Sequence, residues 1–375
     1  VSVERFISRL VIVGILENGI LPYHGAMMKF SPPKGGSVAL ALAGILASIL
    51  MWVSSCVAAE PLMQLKVSLP GPRNLSYLPL DLIAKIGADR AEGAEVHLRY
   101  VGGGSVALQN VLLKNADFAV AGVPAMLSQQ AKGEKVILLA AVNDLPVSVL
   151  TVRADLKNQV KSVADLKGRT IGVNTSSMTS KTTSRQLTEL LLKSEGVPLD
   201  AVRIVPVGQG WNEQSSVLIS RTVDALMCNE PFASRLRAEN RVFFLANLAD
   251  PAVAKKIPGA GFLYAALATR PEVLEREPQK AEKMVAILRR TLRWVAAHTP
   301  EQIADALEIR NPEEKAALLA ALRAYKRLYS PDGSLSTRQL KETEQFFHNA
   351  AGDNPAEQRV KLEPMVFDKW AGRKD

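Results

Sequence analysis

Between Thr175 and Ser184 the chain reads TSSMTSKTTS, and hydroxyls crowd there well beyond the single one a helix cap needs. Ahead of them, Thr170-Ile171-Gly172-Val173-Asn174 is a short β-branched run that predicts a buried strand. Behind them, Leu187, Leu190 and Leu191 recur at helical spacing. The pattern predicts a strand, a hydroxyl-rich loop and a helix opening near Met178. Such a junction gathers backbone N–H groups and the positive end of a helix dipole at one point, where an oxyanion fits. Thr175, Ser176, Ser177 and Thr179 are therefore candidate donors to an anionic head, with plain capping as the competing role.

Four other places offer candidate contacts. Arg73, Ser76 and Tyr77 lie in the loop after a predicted first strand, Gln64 to Leu69. Gly103 belongs to Gly102-Gly103-Gly104-Ser105, which follows a second strand, Glu95 to Val101. That run matches neither G-x-G-x-x-G nor the P-loop, so it reads as a close backbone approach to a cleft. Trp211 follows a strand at 202–206 and could cover an apolar or aromatic body. Glu230, before Pro231, could accept from an amino group, hold a hinge or start a helix.

Catalytic patterns are missing from the sequence: there is no G-x-S-x-G, H-E-x-x-H or C-x-x-C. His97 alternates with apolar neighbours as on an edge strand, and His298 and His348 sit near helix ends without metal-ligand spacing. Cys228 ends the apolar run Val223 to Cys228 and reads as core. No catalytic residue, metal or cofactor is expected.

Strands must alternate with helices to position these groups. Val136–Val142 is wholly apolar, Asn143–Pro146 is a turn, and Val147–Val152 is a second strand at which the chain crosses to another lobe. Pro258–Gly261 turns it back into a return strand, Phe262 to Ala268. From Pro271 the pattern is helical, with an apolar stripe at Ala281, Met284, Leu288, Leu292 and Val295. The fold class is α/β, with βαβ units and mostly parallel sheets. The expected division is a signal region at 1–59, a first lobe at 60–150, a second at 151–258, and a return with C-terminal helices at 259–375.

The 375 residues are 47% hydrophobic and 22% charged, which excludes a disordered or fibrous chain. The net charge is +9, and +7 remains once the first 59 residues, with four basic and two acidic side chains, are set aside. These charges are scattered, which argues against nucleic acid and suits a receiver of anions. Met27-Met28-Lys29 and Lys34 precede the apolar run Val38–Val53, and Val57-Ala58-Ala59 offers a cleavage site before Glu60. This pattern is a secretory signal peptide, so residues 1–26 precede a plausible start. Val53-Ser54-Ser55-Cys56 also resembles a degenerate lipoprotein box, with Cys56 as the lipidated residue and the only tie to a membrane.

The ordered set SVADLKGRTIGVN, LLLKSEGVPLDAVRIVPVG and VDALMCNEPFASRL, within about Gln64 to Thr269, resembles the periplasmic solute-binding proteins of ABC importers. The class is that of nitrate, sulfonate, taurine and thiamine precursors. The resemblance implies a type II periplasmic-binding-protein fold: two doubly wound lobes, two crossing strands, and C-terminal helices on the first lobe. It implies a monomer that captures a small, anionic ligand between its lobes and delivers it to a membrane permease. A pyrimidine or aromatic ligand, or a sensor role without transport, is the alternative. The class also holds pyrimidine synthases with a cysteine-rich iron motif, which this chain lacks.

Overall fold

Strands form where apolar and β-branched residues run unbroken. In the computed structural model the described residues are 61–176, 180–259, 261–325 and 327–375. The expected signal region, Cys56, Ser177 and Thr179 lie outside them.

The chain first lays down β1 (Met63–Pro70), β2 (Ala94–Val101), β3 (Phe118–Gly122) and β4 (Ile137–Asn143). It crosses to a second sheet of β5 (Ser148–Arg153), β6 (Thr170–Asn174), β7 (Arg203–Val207), β8 (Ala225–Asn229) and β9 (Val242–Asn247). It then returns as β10 (Ala265–Thr269), inserted antiparallel between β3 and β4 with Leu267 opposite Val120 and Ala140. The sheet orders are β2-β1-β3-β10-β4 and β7-β6-β8-β5-β9. Each sheet therefore mixes parallel βαβ pairs with one strand supplied by a crossing. β3, β8 and β10 are buried along their whole length, as expected where helices cover both faces.

Eight helices matter here: α1 (Gly104–Leu112), α2 (Val123–Ala131), α3 (Thr183–Ser194), α4 (Trp211–Ile219), α5 (Phe232–Ala238), α6 (Pro278–Ala297), α7 (Pro312–Ala324) and α8 (Thr337–Ala351). The predicted stripe of α6 is buried from Ala281 to Val295, packed on the first lobe. α7 and α8 reach further, touching α5 and α3 of the second lobe.

One sequence expectation changes. The helix expected near Met178 begins at Thr183, because Thr182 is its cap: Thr182 Oγ1 accepts from Arg185 N at 3.3 Å and donates to the Asn174 carbonyl at 3.1 Å. Holding Thr182 against the end of β6 keeps Thr175, Ser176, Ser180 and Lys181 outside the helix. Phe262 precedes the return strand and stacks on Phe346 at 4.2 Å.

Candidate functional site

The carboxyl ends of the strands from both sheets meet, the usual position of a ligand in open α/β sheets. Between them lies a small, partly open cavity. Tyr77, Gly104, Gly122 and Tyr264 face it from the first lobe; Asn174, Thr183, Ser184 and Gln209 face it from the second. Its volume is about 10 Å³, room for one water-sized sphere.

Three helices point their N-termini at this cavity, at Gly104 (α1), beside Gly122 (α2) and at Thr183 (α3). The first N–H groups of a helix have no carbonyl within the helix to bond. In α2 the first is used by the Tyr264 carbonyl at 2.9 Å and Pro124 has none, so α2 contributes mainly its dipole. α1 and α3 can contribute N–H groups as well. No lining side chain is charged. Burial pushes the Tyr77 and Tyr264 phenols well up and up respectively, so both remain neutral hydrogen-bonding groups. Asn174 Oδ1 and Thr183 Oγ1 are buried and have no hydrogen-bond partner among the described residues, in residues 2% and 4% exposed. Orphans of this kind are rare in native proteins and mark a place where a ligand or water completes the bonding. Converging dipoles and neutral donors can hold an oxyanion without a counter-ion.

The lobes touch closely around the cavity. A Cβ at Gly103 would run into the Thr175 carbonyl oxygen, and one at Gly122 into Thr183 Oγ1. One at Gly71 would lie 2.9 Å from the Gln209 carbonyl carbon. The glycine run at 102–104 is the close approach that the sequence suggested. Hydrogen bonds cross alongside: Asn74 Nδ2 donates to Gln209 Oε1 at 2.8 Å, Ser180 Oγ to Ser105 Oγ at 2.9 Å, and Gln186 Nε2 to the Pro124 carbonyl at 3.2 Å.

Residues 90–303 match the family model described as NMT1/THI5 like. The chain belongs to the NMT1/THI5-like family. No curated protein sequence matches it. Solved structures share its fold at low identity. One from Bordetella bronchiseptica RB50 is 22% identical, with a TM-score of 0.74 over 82% of this chain and 95% of the other. The alkanesulfonate-binding protein SsuA of Xanthomonas axonopodis pv. citri, bound to MOPS, is 16% identical, with a TM-score of 0.64 over 83% and 98%. The periplasmic nitrate-binding protein NrtA of Synechocystis PCC 6803 is 12% identical, with a TM-score of 0.60 over 81% and 87%. The two-lobed α/β architecture is the periplasmic-binding-protein fold.

In this NMT1/THI5-like protein the described residues expected to touch a ligand are spread over four places. Tyr77 lines the cavity, with Ser76 buried beside it. Arg73 and Trp211 line a wider pocket of about 520 Å³ at the mouth of the cleft. There Arg73 pairs with Glu314 at 2.6 Å, and Arg235 covers the Trp211 ring at 4.0 Å. Asp81 accepts from Tyr100 Oη at 2.7 Å and from Arg73 N at 2.8 Å; burial raises its carboxyl to about 6. Gly103 and Thr175 press on each other across the lobes, and Ser176 Oγ accepts from Thr182 N at 3.4 Å.

Glu230 lies near the crossing. Its carboxylate accepts from Ser234 N and Oγ at 3.0 Å and from Tyr325 Oη at 3.4 Å, while its backbone carbonyl accepts from Leu75 N at 2.8 Å. It thus joins α5, the first lobe and the C-terminal region, and burial raises its pKa. Among the described residues no His/Cys/Asp/Glu cluster could hold a metal, and no helix is long and apolar enough to cross a membrane. Asn174, Thr183, Ser184, Gln209 and Tyr264 were not singled out from sequence. Asn174 and Gln209 carried a usable signal, as polar residues at the end of one predicted strand and just past another; Tyr264, inside an apolar run, carried none.

Proposed function

We propose that this protein is the extracytoplasmic solute-binding component of an ABC importer. It captures a small oxyanion-bearing ligand between its lobes and presents it to a membrane permease. The observation that carries this reading is the small interlobe cavity on which three helix N-termini converge, with Thr183 Oγ1 in its wall unpartnered among the described residues. The neighbours named for alkanesulfonate and nitrate support the oxyanion class. The glycine contacts across the cleft support capture by closure, and the secretory pattern before Glu60 supports action outside the cytoplasm. A cavity lined by hydroxyls, amides and protonated phenols suits binding and release better than turnover.

Mass spectrometry of the ligand released from gently purified protein identifies the solute, and calorimetry with that solute tests the site. Thr183→Val keeps the shape and removes the hydroxyl. A charge-assisted hydrogen bond contributes roughly 1.5–3 kcal/mol. The variant should therefore bind about tenfold or more weakly, since about 1.4 kcal/mol is one decade, with its unfolding midpoint little changed. Unchanged affinity would remove the interlobe cavity as the binding site.

A further inference from the structure

Charges that lie far apart in the sequence gather at one end of the second sheet. The carboxyl ends of β6, β7 and β8 face the cleft, so their amino ends, with the carboxyl end of the antiparallel β5, form the opposite end of that lobe. Lys167 and Arg169 precede β6, Arg203 opens β7, Arg241 precedes β9, and Lys157 and Lys161 follow β5. Backbone bonds tie these segments together: Arg203 N donates to Arg169 O at 2.9 Å, Gly168 N to Ala201 O at 2.7 Å, and Ala154 N to Arg241 O at 2.9 Å. β7 and β9 are the edges of the sheet, so Arg203 and Arg241 stand four strand spacings apart, about 19 Å. Arg169 is half-buried and the other five cations are exposed. The ion pairs of this region, Arg153 with Asp155 and Asp224, Arg221 with Asp155, and Arg235 with Glu239, use none of the six. Asp165 is likewise spent inside the lobe, accepting from Lys161 N and Ser162 N at the head of a turn.

Two aliphatic tips stand at the same end. Leu199, 46% exposed, opens the turn Leu199–Ala201 that Gly168 N binds; Ile219, 53% exposed, ends α4 just before β8. They are two of the five large apolar side chains exposed among the described residues. α3, which leads to Leu199, packs on one face of the sheet with Ile171 and Val173, while α4 packs on the other with Val207 and Leu226. The two tips therefore flank the cations on opposite sides of the sheet. Cations are drawn to anionic headgroups, and aliphatic tips among them enter the acyl boundary. Separate tips on different elements suit a fluid surface better than a rigid partner, which would need one continuous apolar patch.

We propose that the end of the second lobe opposite the cleft is a membrane-facing surface that rests on anionic lipid. It is distinct from the interlobe cavity and does not depend on what the cavity binds.

The test is co-sedimentation with vesicles of equal parts phosphatidylglycerol and phosphatidylcholine, and with phosphatidylcholine alone. It uses residues 60–375, which form a compact unit of their own, so that the apolar run Val38–Val53 takes no part. The protein should bind the anionic vesicles, release them as salt rises, and ignore the neutral ones. Each cation near an anionic surface changes partitioning about fivefold, so Lys157→Gln/Lys167→Gln/Arg203→Gln/Arg241→Gln should bind about 10²–10³-fold more weakly. Lys114→Gln/Lys132→Gln/Lys135→Gln/Arg276→Gln removes the same charge from exposed positions of the first lobe and should keep most of the binding. Leu199→Ser/Ile219→Ser should bind about tenfold more weakly and remain salt-dependent. Urea unfolding confirms that each variant folds. No binding to anionic vesicles, or equal binding to neutral ones, would overturn the proposal. So would equal loss in the two fourfold variants, the mark of net charge alone. Binding that ignores the loss of Leu199 and Ile219 would overturn it too, and would point to a polyanion other than a membrane.

Discussion

One methyl group at Gly103 tests whether the contact between the lobes is what secures a ligand. Gly103 is extended, with φ −176° and ψ 155°, so alanine fits its backbone without strain and the first lobe should fold as before. The added Cβ would overlap the Thr175 carbonyl oxygen and lie 3.1 Å from its carbon. A side chain could turn aside, but this carbonyl is part of a backbone held to β7 by Thr175 N donating to Val207 O at 3.1 Å. Closure should therefore stop roughly 1 Å short, because packed backbones have little slack. At that separation the Asn74–Gln209 bond of 2.8 Å and the Ser180–Ser105 bond of 2.9 Å pass out of hydrogen-bonding range. Each contributes roughly 0.5–1.5 kcal/mol, so the closed form loses about 1–3 kcal/mol. A ligand that needs the closed form should bind about 5- to 150-fold more weakly. Calorimetry measures that loss, and spin labels at the exposed Lys135 and Ser216 measure the residual gap. Gly102→Ala is the control: its Cβ would lie 3.4 Å from Thr175 Oγ1, a side-chain atom that can give way. If Gly103→Ala binds and closes like the wild type, the steric reasoning fails.

Three further outcomes follow from the buried groups. The Asp81 carboxyl, raised from 3.8 to about 6 by burial, keeps a proton in the folded chain that the unfolded chain has released, so it lowers stability as pH rises from about 4 to 6, by about 3 kcal/mol at most. Asp81→Asn should remove that part of the slope, and urea unfolding of both proteins at pH 4 and pH 7 checks it. Glu230→Ala leaves Ser234 N, Ser234 Oγ and Tyr325 Oη without their acceptor and should cost about 2–4 kcal/mol in the same assay. Cys228 is fully buried, its Sγ is 2.9 Å from Gln214 Oε1, and burial raises its thiol well up; it should react with a thiol reagent only as fast as the chain opens.

The architecture was legible because burial on both sheet faces produces long apolar runs, and these runs became β3, β4, β5 and β8 with small shifts at their ends. Cys228 in the core and His97 exposed on β2 followed from the same alternation. The site was legible only in part. The hydroxyl-rich stretch does reach the cavity, but through Thr182, Thr183 and Ser184 rather than Thr175 and Ser176. Neighbouring hydroxyls have nearly equal capping propensity, and the choice fell to a tertiary bond, Thr182 Oγ1 to the Asn174 carbonyl, which no local pattern encodes. Gly122 and Tyr264 come together because β10 returns from over a hundred residues away to pair with β3, a fact of topology rather than of spacing.

The absence of charge from the cavity lining bears on how such a site can both hold and release. A buried arginine would bind an oxyanion strongly, but it would also need a partner of its own whenever the ligand left, because an unpaired charge in a low-dielectric cleft is costly. Helix N-termini and hydroxyls avoid this difficulty. Each dipole end contributes roughly 0.3–1 kcal/mol when exposed and up to about 2 when partly buried, and water replaces the ligand at little cost once the lobes part. Three such ends at Gly104, Val123 and Thr183 can thus secure an anion in the closed form alone. The grip depends on exclusion of water, and exclusion of water depends on the glycine contacts at Gly71, Gly103 and Gly122. Closure and affinity are then a single property of this cleft, and a permease that pries the lobes apart would need no other means of emptying it.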